Sequence, residues 1–204
     1  MNKNEGPIYI GSFVFTLGLI YYIINLVIIM KLYVDEDIYL RDIVDSDDEY
    51  RRLYSWCLNP SVYKYFEQRV LSYDEVVSKY KKRVGKEDVK TLIIVYKDKE
   101  IGLVQYEKID DEDRESFDIL LNNVVSIDIF IGDSSFYGLG IGTRVVKYIG
   151  EYLLSRFDMV IANIQSNNDS SINMCLKSGF KRLREIDYFD TLGNSTKNIL
   201  LYLK

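Results

Sequence analysis

The stretch that most constrains this chain is Val124-Val125-Ser126-Ile127-Asp128-Ile129-Phe130-Ile131-Gly132, followed closely by Tyr137-Gly138-Leu139-Gly140-Ile141-Gly142-Thr143-Arg144. An apolar run of β-branched residues carries one carboxylate, Asp128. It feeds a glycine-rich turn that opens an amphipathic helix with Val146, Ile149 and Leu153 on one face. A glycine turn at a helix start exposes unpaired backbone N–H groups at the positive end of the helix dipole, an arrangement suited to phosphate or pyrophosphate. A lone acid on the preceding strand then lies close to whatever a phosphate-bearing ligand delivers.

The rest of the chain is dense in alternating and periodic signals. Residues 38–43 read as a strand. Ser46 to Asp48 can cap a helix running through Trp56, which Asn59-Pro60 ends. A second helix runs from about Ser72 through Val84 with Val76, Val77, Tyr80 and Val84 on one face. Residues 91–96 and 101–106 form a β-hairpin around Lys97-Asp98-Lys99-Glu100, and the acidic run 110–115 reads as a solvated loop or a rim that attracts polyamines. Residues 158–163 are a strand, and 170–177 a short helix stopped by Ser178-Gly179-Phe180. Residues 181–188 and 197–203 close the chain as a strand pair around Leu192-Gly193-Asn194. The expected fold class is α/β (α+β): a mixed, mostly antiparallel sheet with helices on both faces, spanning residues 31–204.

Residues 8–30 are free of charge and long enough to span a bilayer. Flanking charge is too slight to orient them, and the run is too long for a signal peptide. Met30-Lys31-Leu32-Tyr33 also looks like a natural start, and the preceding residues are rich in Ile, Tyr, Phe and Asn, which AT-rich codons supply. The segment 1–30 is thus either a membrane anchor for a cytoplasmic domain or the product of a misassigned start.

Composition removes several function classes. The chain of 204 residues carries a net charge of −5, so nucleic acid is not an expected partner, whereas a cationic substrate is attracted. There is no histidine, which excludes Ser-His-Asp and Cys-His catalysis and histidine-bound metal; no spacing recommends a carboxylate metal site either. Cys57 and Cys175 are too few for a disulfide framework and read as reduced thiols.

Two nucleotide-binding readings of the glycine turn fail. A Walker loop needs a lysine before its Ser/Thr, and Gly142-Thr143 has none. A dinucleotide fingerprint needs an acid after the second strand, and Asp158 precedes it. The turn instead resembles the acyl-CoA segment of the GNAT (Gcn5-related) N-acetyltransferases, Gln/Arg-X-X-Gly-X-Gly/Ala, with Tyr137 in the first place. Asp128 with Phe130-Ile131-Gly132, the hairpin Ile101-Gly102-Leu103-Val104-Gln105-Tyr106, Trp56 through Phe66, and Asn167-Asn168 followed by Ile172 and Lys177-Ser178-Gly179-Phe180 resemble the aminoglycoside 6′-N-acetyltransferase branch. The resemblance spans residues 36–204.

That resemblance implies acetyl-CoA as co-substrate, no metal, and transfer of the acetyl group to a primary amine of a small cationic acceptor, an aminoglycoside 6′-amine first. Asp128 is implied as base. Backbone N–H groups of Leu139, Gly140, Ile141, Gly142 and Thr143 would hold the pyrophosphate, with Tyr137 and Gly138 in the same turn. A backbone N–H on the Ile129-Phe130 stretch would polarise the thioester carbonyl, with Ile131 on the same strand also binding the cofactor. Asn168 would touch CoA or cap its helix, and Gln105 and Asn163 would lie by the acceptor. Cys175 stands where the branch usually has a tyrosine that protonates the leaving thiolate. Asn163 stands where it often has an aspartate. Polyamine, siderophore-precursor and protein N-terminal acetylation are alternative activities, as is a membrane-tethered module that binds CoA without catalysis. The oligomeric state is open.

Overall fold

The computed structural model describes residues 31–86, 89–189 and 193–204. The segment 1–30 and part of the 190–194 turn, on which two of the expectations above fall, lie outside them. Among the described residues, eight strands form one sheet in the order β1-β2-β3-β4-β5-β6-β8-β7: β1 Lys31–Tyr33, β2 Ile38–Asp42, β3 Val89–Tyr96, β4 Lys99–Lys108, β5 Val124–Ile131, β6 Met159–Gln165, β7 Lys181–Phe189 and β8 Ser195–Leu203. Every neighbouring pair is antiparallel except β5–β6.

The first helix, α1 (Asp47–Cys57), starts where Ser46 accepts from the Glu49 N–H at 3.3 Å and places three acids in its first turn. Asn59-Pro60 ends it as expected, but the same pair opens a second short helix, α2 (Pro60–Tyr63). Asn59 accepts from the Ser61 N–H, and proline sits where its missing N–H costs nothing. The next, α3 (Tyr73–Lys81), opens on a capping box in which Ser72 and Glu75 each satisfy the other's backbone N–H. It stops at Lys81, short of the expected Val84, and residues 82–85 continue as turns.

The acidic run is no loop. It forms α4 (Asp111–Ser116), capped by Asp110, whose carboxylate accepts from the Asp113 N–H at 2.8 Å. Buried Phe117 and Ile119 pin its end to a core cluster with Val124, Ile161 and Leu200. After the glycine turn comes α5 (Ile141–Leu154), with Val146, Ile149 and Leu153 fully buried as their spacing predicts. Last is α6 (Asp169–Lys177). The larger cluster packs α1 and α3 on the sheet through Leu53, Trp56, Tyr80, Ile93, Leu103 and Phe130. Among the described residues no helix is long and apolar enough to cross a membrane.

Two close approaches fix β4 and β5. A Cβ on Gly102 would lie 2.2 Å from the Phe130 carbonyl oxygen, and one on Gly132 would lie 2.1 Å from the Trp56 ring. No side chain fits either place, so the strand that carries Asp128 is seated against its neighbours by glycines.

Candidate active site

The parallel pairing of β5 with β6 runs only from Val124↔Met159 to Ser126↔Ile161. Beyond it the strands separate, while β5 stays paired to β4 through Gly102↔Ile131. A cavity of about 1070 Å³ fills the gap. In an antiparallel ladder, backbone groups alternate between the two edges of a strand. The Gly132 N–H donates to the Ile101 carbonyl of β4 at 2.7 Å. The even-numbered residues of β5 therefore face β4, and the N–H groups of Ile129 and Ile131 face the cavity. The Ile131 carbonyl follows this parity, accepting from the Tyr137 hydroxyl at 3.1 Å. Of the three strand residues expected at the cofactor, Ile129 and Ile131 present N–H groups to the gap, and of the Ile129-Phe130 pair expected to polarise the carbonyl only Ile129 does so. The Phe130 ring instead packs edge-on against Trp56 and Phe66.

The glycine turn lines the same cavity. Gly138 (φ 74°) and Gly140 (φ 71°) are left-handed, a conformation that costs an L-residue about 1–2 kcal/mol. Gly140 caps α5 without any side-chain hydrogen bond, which leaves the first-turn N–H groups of Ile141, Gly142 and Thr143 to a ligand. Gly142 faces α6, where a Cβ would meet the Met174 sulfur at 2.7 Å. Ser178 ties the two helices, donating to the Thr143 carbonyl at 3.0 Å. Asn168 is the N-cap of α6, accepting from the Ser171 N–H at 3.2 Å, and lines the cavity as well. Two positive helix ends thus converge on one side, joined by Lys64 and Lys177.

Tyr137 does not stack freely. Its hydroxyl bridges the Ile131 carbonyl and the Asn59 side chain (3.2 Å), and Asn59 also donates to the Gly132 carbonyl at 3.0 Å. One side chain so joins the α1–α2 junction, the end of β5 and the glycine turn.

The other side of the cavity is acidic. Asp128 stands directly opposite Gln105 in the β4–β5 register and accepts from its amide at 3.1 Å. Its side chain is exposed to the cavity, yet the protein packed around it displaces much of its solvation. That desolvation raises its pKa from the usual aspartate value, against the Gln105 hydrogen bond and the charges of Lys79 and Arg83. Asp113 of α4, whose pKa burial also raises, lines the same wall with Tyr188. Asn163 lies there too, and its side-chain oxygen accepts from buried Asn198 at 2.9 Å.

Cys175 lines the cavity from α6 but is buried, and desolvation pushes its thiol up to about 12. Proton transfer from such a thiol to an ordinary thiolate runs uphill by about 4 kcal/mol. Sequence reasoning missed Arg83 and Asn198. The first reaches the site from a turn that no local pattern marks. The second has no distinguishing local signal either, since Asn198 continues the polar start Ser195-Thr196-Lys197 of its strand.

A splayed strand pair, a helix-capping glycine turn and a carboxylate open to the gap define a transferase that draws an acyl group from a phosphate-bearing thioester. Residues 37–181 match the family model described as acetyltransferase (GNAT) domain, and the chain belongs to the GNAT acetyltransferase family. Its fold is similar to that of the aminoglycoside acetyltransferase AAC(6′)-Ib in complex with paromomycin and acetyl-CoA (TM-score 0.68, 18% identity, covering 83% of this chain and 94% of that one). It is similar also to RimL, a ribosomal L7/L12 α-N-protein acetyltransferase in complex with coenzyme A (TM-score 0.68, 14% identity, 85% and 97% covered). A third is the microcin C7 self-immunity acetyltransferase MccE in complex with acetyl-CoA and AMP (TM-score 0.67, 19% identity, 83% and 93% covered).

Proposed function

We propose that this GNAT enzyme moves an acetyl group from acetyl-CoA to the primary amine of a small cationic acceptor, with Asp128 as base and an aminoglycoside 6′-amine as the first candidate. The observation that carries this reading is the carboxylate at the mouth of the β5–β6 gap, with one oxygen held by Gln105 and the other left to the cavity. The pyrophosphate would lie on the N–H groups at the start of α5. The thioester carbonyl would accept from the Ile129 N–H, which would then stabilise the developing oxyanion.

In this scheme Asp128, deprotonated, draws a proton from the acceptor ammonium, and the amine attacks the acetyl carbon. Collapse of the tetrahedral adduct breaks the C–S bond, and the thiolate takes the proton that the nitrogen sheds. No step passes through Cys175, whose thiol is too weak an acid. The presence of two carboxylates, Asp113 and Asp128, in the lining of one cavity supports a polycationic acceptor. The uncharged Asn163–Asn198 pair favours a second reading, a peptide amino terminus whose amides such side chains can match.

The test is CoA-thiol release by the full chain with acetyl-CoA and a panel of aminoglycosides, polyamines and short peptides. Turnover confined to 6′-amino aminoglycosides supports the first reading, and turnover confined to peptides supports the second. Acetyl-CoA binding without turnover on any amine supports a module that binds CoA without catalysis.

A further inference from the structure

Arg83 lies beyond the end of α3, in the turn at 82–85, and its side chain is largely buried. Its guanidinium forks onto two side chains two residues apart on one face of β4. One nitrogen donates to the Gln105 side-chain oxygen at 2.7 Å, and another lies 3.7 Å from the Glu107 carboxylate. A guanidinium has donors only. Gln105 must therefore turn its oxygen to Arg83 and its NH₂ to Asp128, to which it donates at 3.1 Å. Without Arg83 the amide can rotate and place its oxygen against the carboxylate.

We infer that Arg83 is a positioning residue: through Gln105 it fixes which oxygen of Asp128 is engaged and which one meets the acceptor amine. This rests on the assignment of Asp128 as base. Other charged or titratable groups facing Asp128 are Lys79 and Tyr80 on α3, Glu67 on the preceding loop, Cys175 on α6 and Tyr188 on β7. Lys79 is paired with Glu67, and Arg83 is partly balanced by Glu107. The directional bond to Gln105 is thus what Arg83 adds beyond net charge.

The test is an NMR titration of the full chain, following the Asp128 carboxyl carbon, assigned with Asp128→Asn, and the Gln105 side-chain amide. In the wild type the amide signals shift in step with Asp128. In Arg83→Met the Asp128 midpoint moves to higher pH and the amide no longer tracks it. In the same variant the acid limb of kcat/KM for the acceptor moves to higher pH, because the base must be deprotonated. The value falls about ten- to a hundredfold, as expected for loss of orientation through one charged hydrogen bond, with KM for acetyl-CoA unchanged. Arg83→Lys, which keeps a donor and the charge, restores part of both. If it restores both in full, or if the amide still tracks Asp128 in Arg83→Met, charge alone is at work and the inference fails. Should Arg83→Met not fold, Arg83→Lys against the wild type carries the comparison. Turnover that survives Asp128→Asn removes the base assignment, while the titration still tests the Arg83–Gln105–Asp128 chain by itself.

Discussion

Gln105 and Asp128 are directly opposed on β4 and β5, and the Gln105 amide donates to the Asp128 carboxylate at 3.1 Å. Cross-strand opposition puts the two side chains on one face at the point where β5 loses its other neighbour. The carboxylate so gains a hydrogen bond without gaining full solvation, a compromise suited to a base that must both ionise and accept a proton.

That compromise predicts a stability cost. The folded pKa of Asp128 is raised above its unfolded value, near 3.9. Below that value both states are protonated and there is no penalty. As pH rises through the folded pKa the folded state must give up a proton it holds more tightly, and stability falls. Asp128→Asn is expected to raise Tm at pH 7, with the gain shrinking as pH approaches 4. Thermal melts across that range would show it; a variant destabilised equally at every pH contradicts it.

Glycine substitutions separate rigid from yielding contacts. Gly102→Ala drives a Cβ into the Phe130 carbonyl, a backbone atom that cannot retreat, and is expected to cost about 2–3 kcal/mol in denaturant unfolding. Gly142→Ala meets only the end of the flexible Met174 side chain. The helix propensity of alanine offsets that contact, and the net change is expected within about 0.5 kcal/mol.

Cys175→Ala is expected to leave kcat within about threefold of the wild type. A buried thiol raised to about 12 is a poor donor to a CoA thiolate. A hundredfold loss of kcat at unchanged Tm would restore it as the acid.

Tyr137→Phe removes the hydroxyl that joins the Ile131 carbonyl to Asn59. The loss is expected to cost about 1 kcal/mol of stability and to raise KM for acetyl-CoA several-fold, since the glycine turn loses its tie to β5. Equal KM values would make the tie irrelevant to the turn.

What the sequence made legible follows from how locally each feature is encoded. The glycines at 138, 140 and 142 and the spacing of Val146, Ile149 and Leu153 announce turn and helix within one window, and the structure places them so. Ser72 and Glu75 mark a helix start by a capping box complete within four residues. The helix in the acidic run has no such local announcement, because it depends on one cap, Asp110, and on Phe117 and Ile119 packing into a distant cluster. The three residues of β1 have no periodicity of their own and exist as a strand by pairing with β2. Within the site, the resemblance marked Gln105, Asp128 and Asn168, but not which N–H groups face the gap, because that depends on the pairing parity with β4. Arg83 was invisible because its meaning lies in a bond to a residue 22 positions away.

The central claim is that Asp128 deprotonates the acceptor. The most direct measurement is the pH dependence of acetyl transfer by the full chain, wild type beside Asp128→Asn, with the best acceptor from the panel. The account predicts a wild-type acid limb above the ordinary aspartate range and a loss of about 10²–10⁴ in kcat/KM in the variant, with acetyl-CoA binding intact. A variant that turns over at the wild-type rate with the same acid limb would contradict it.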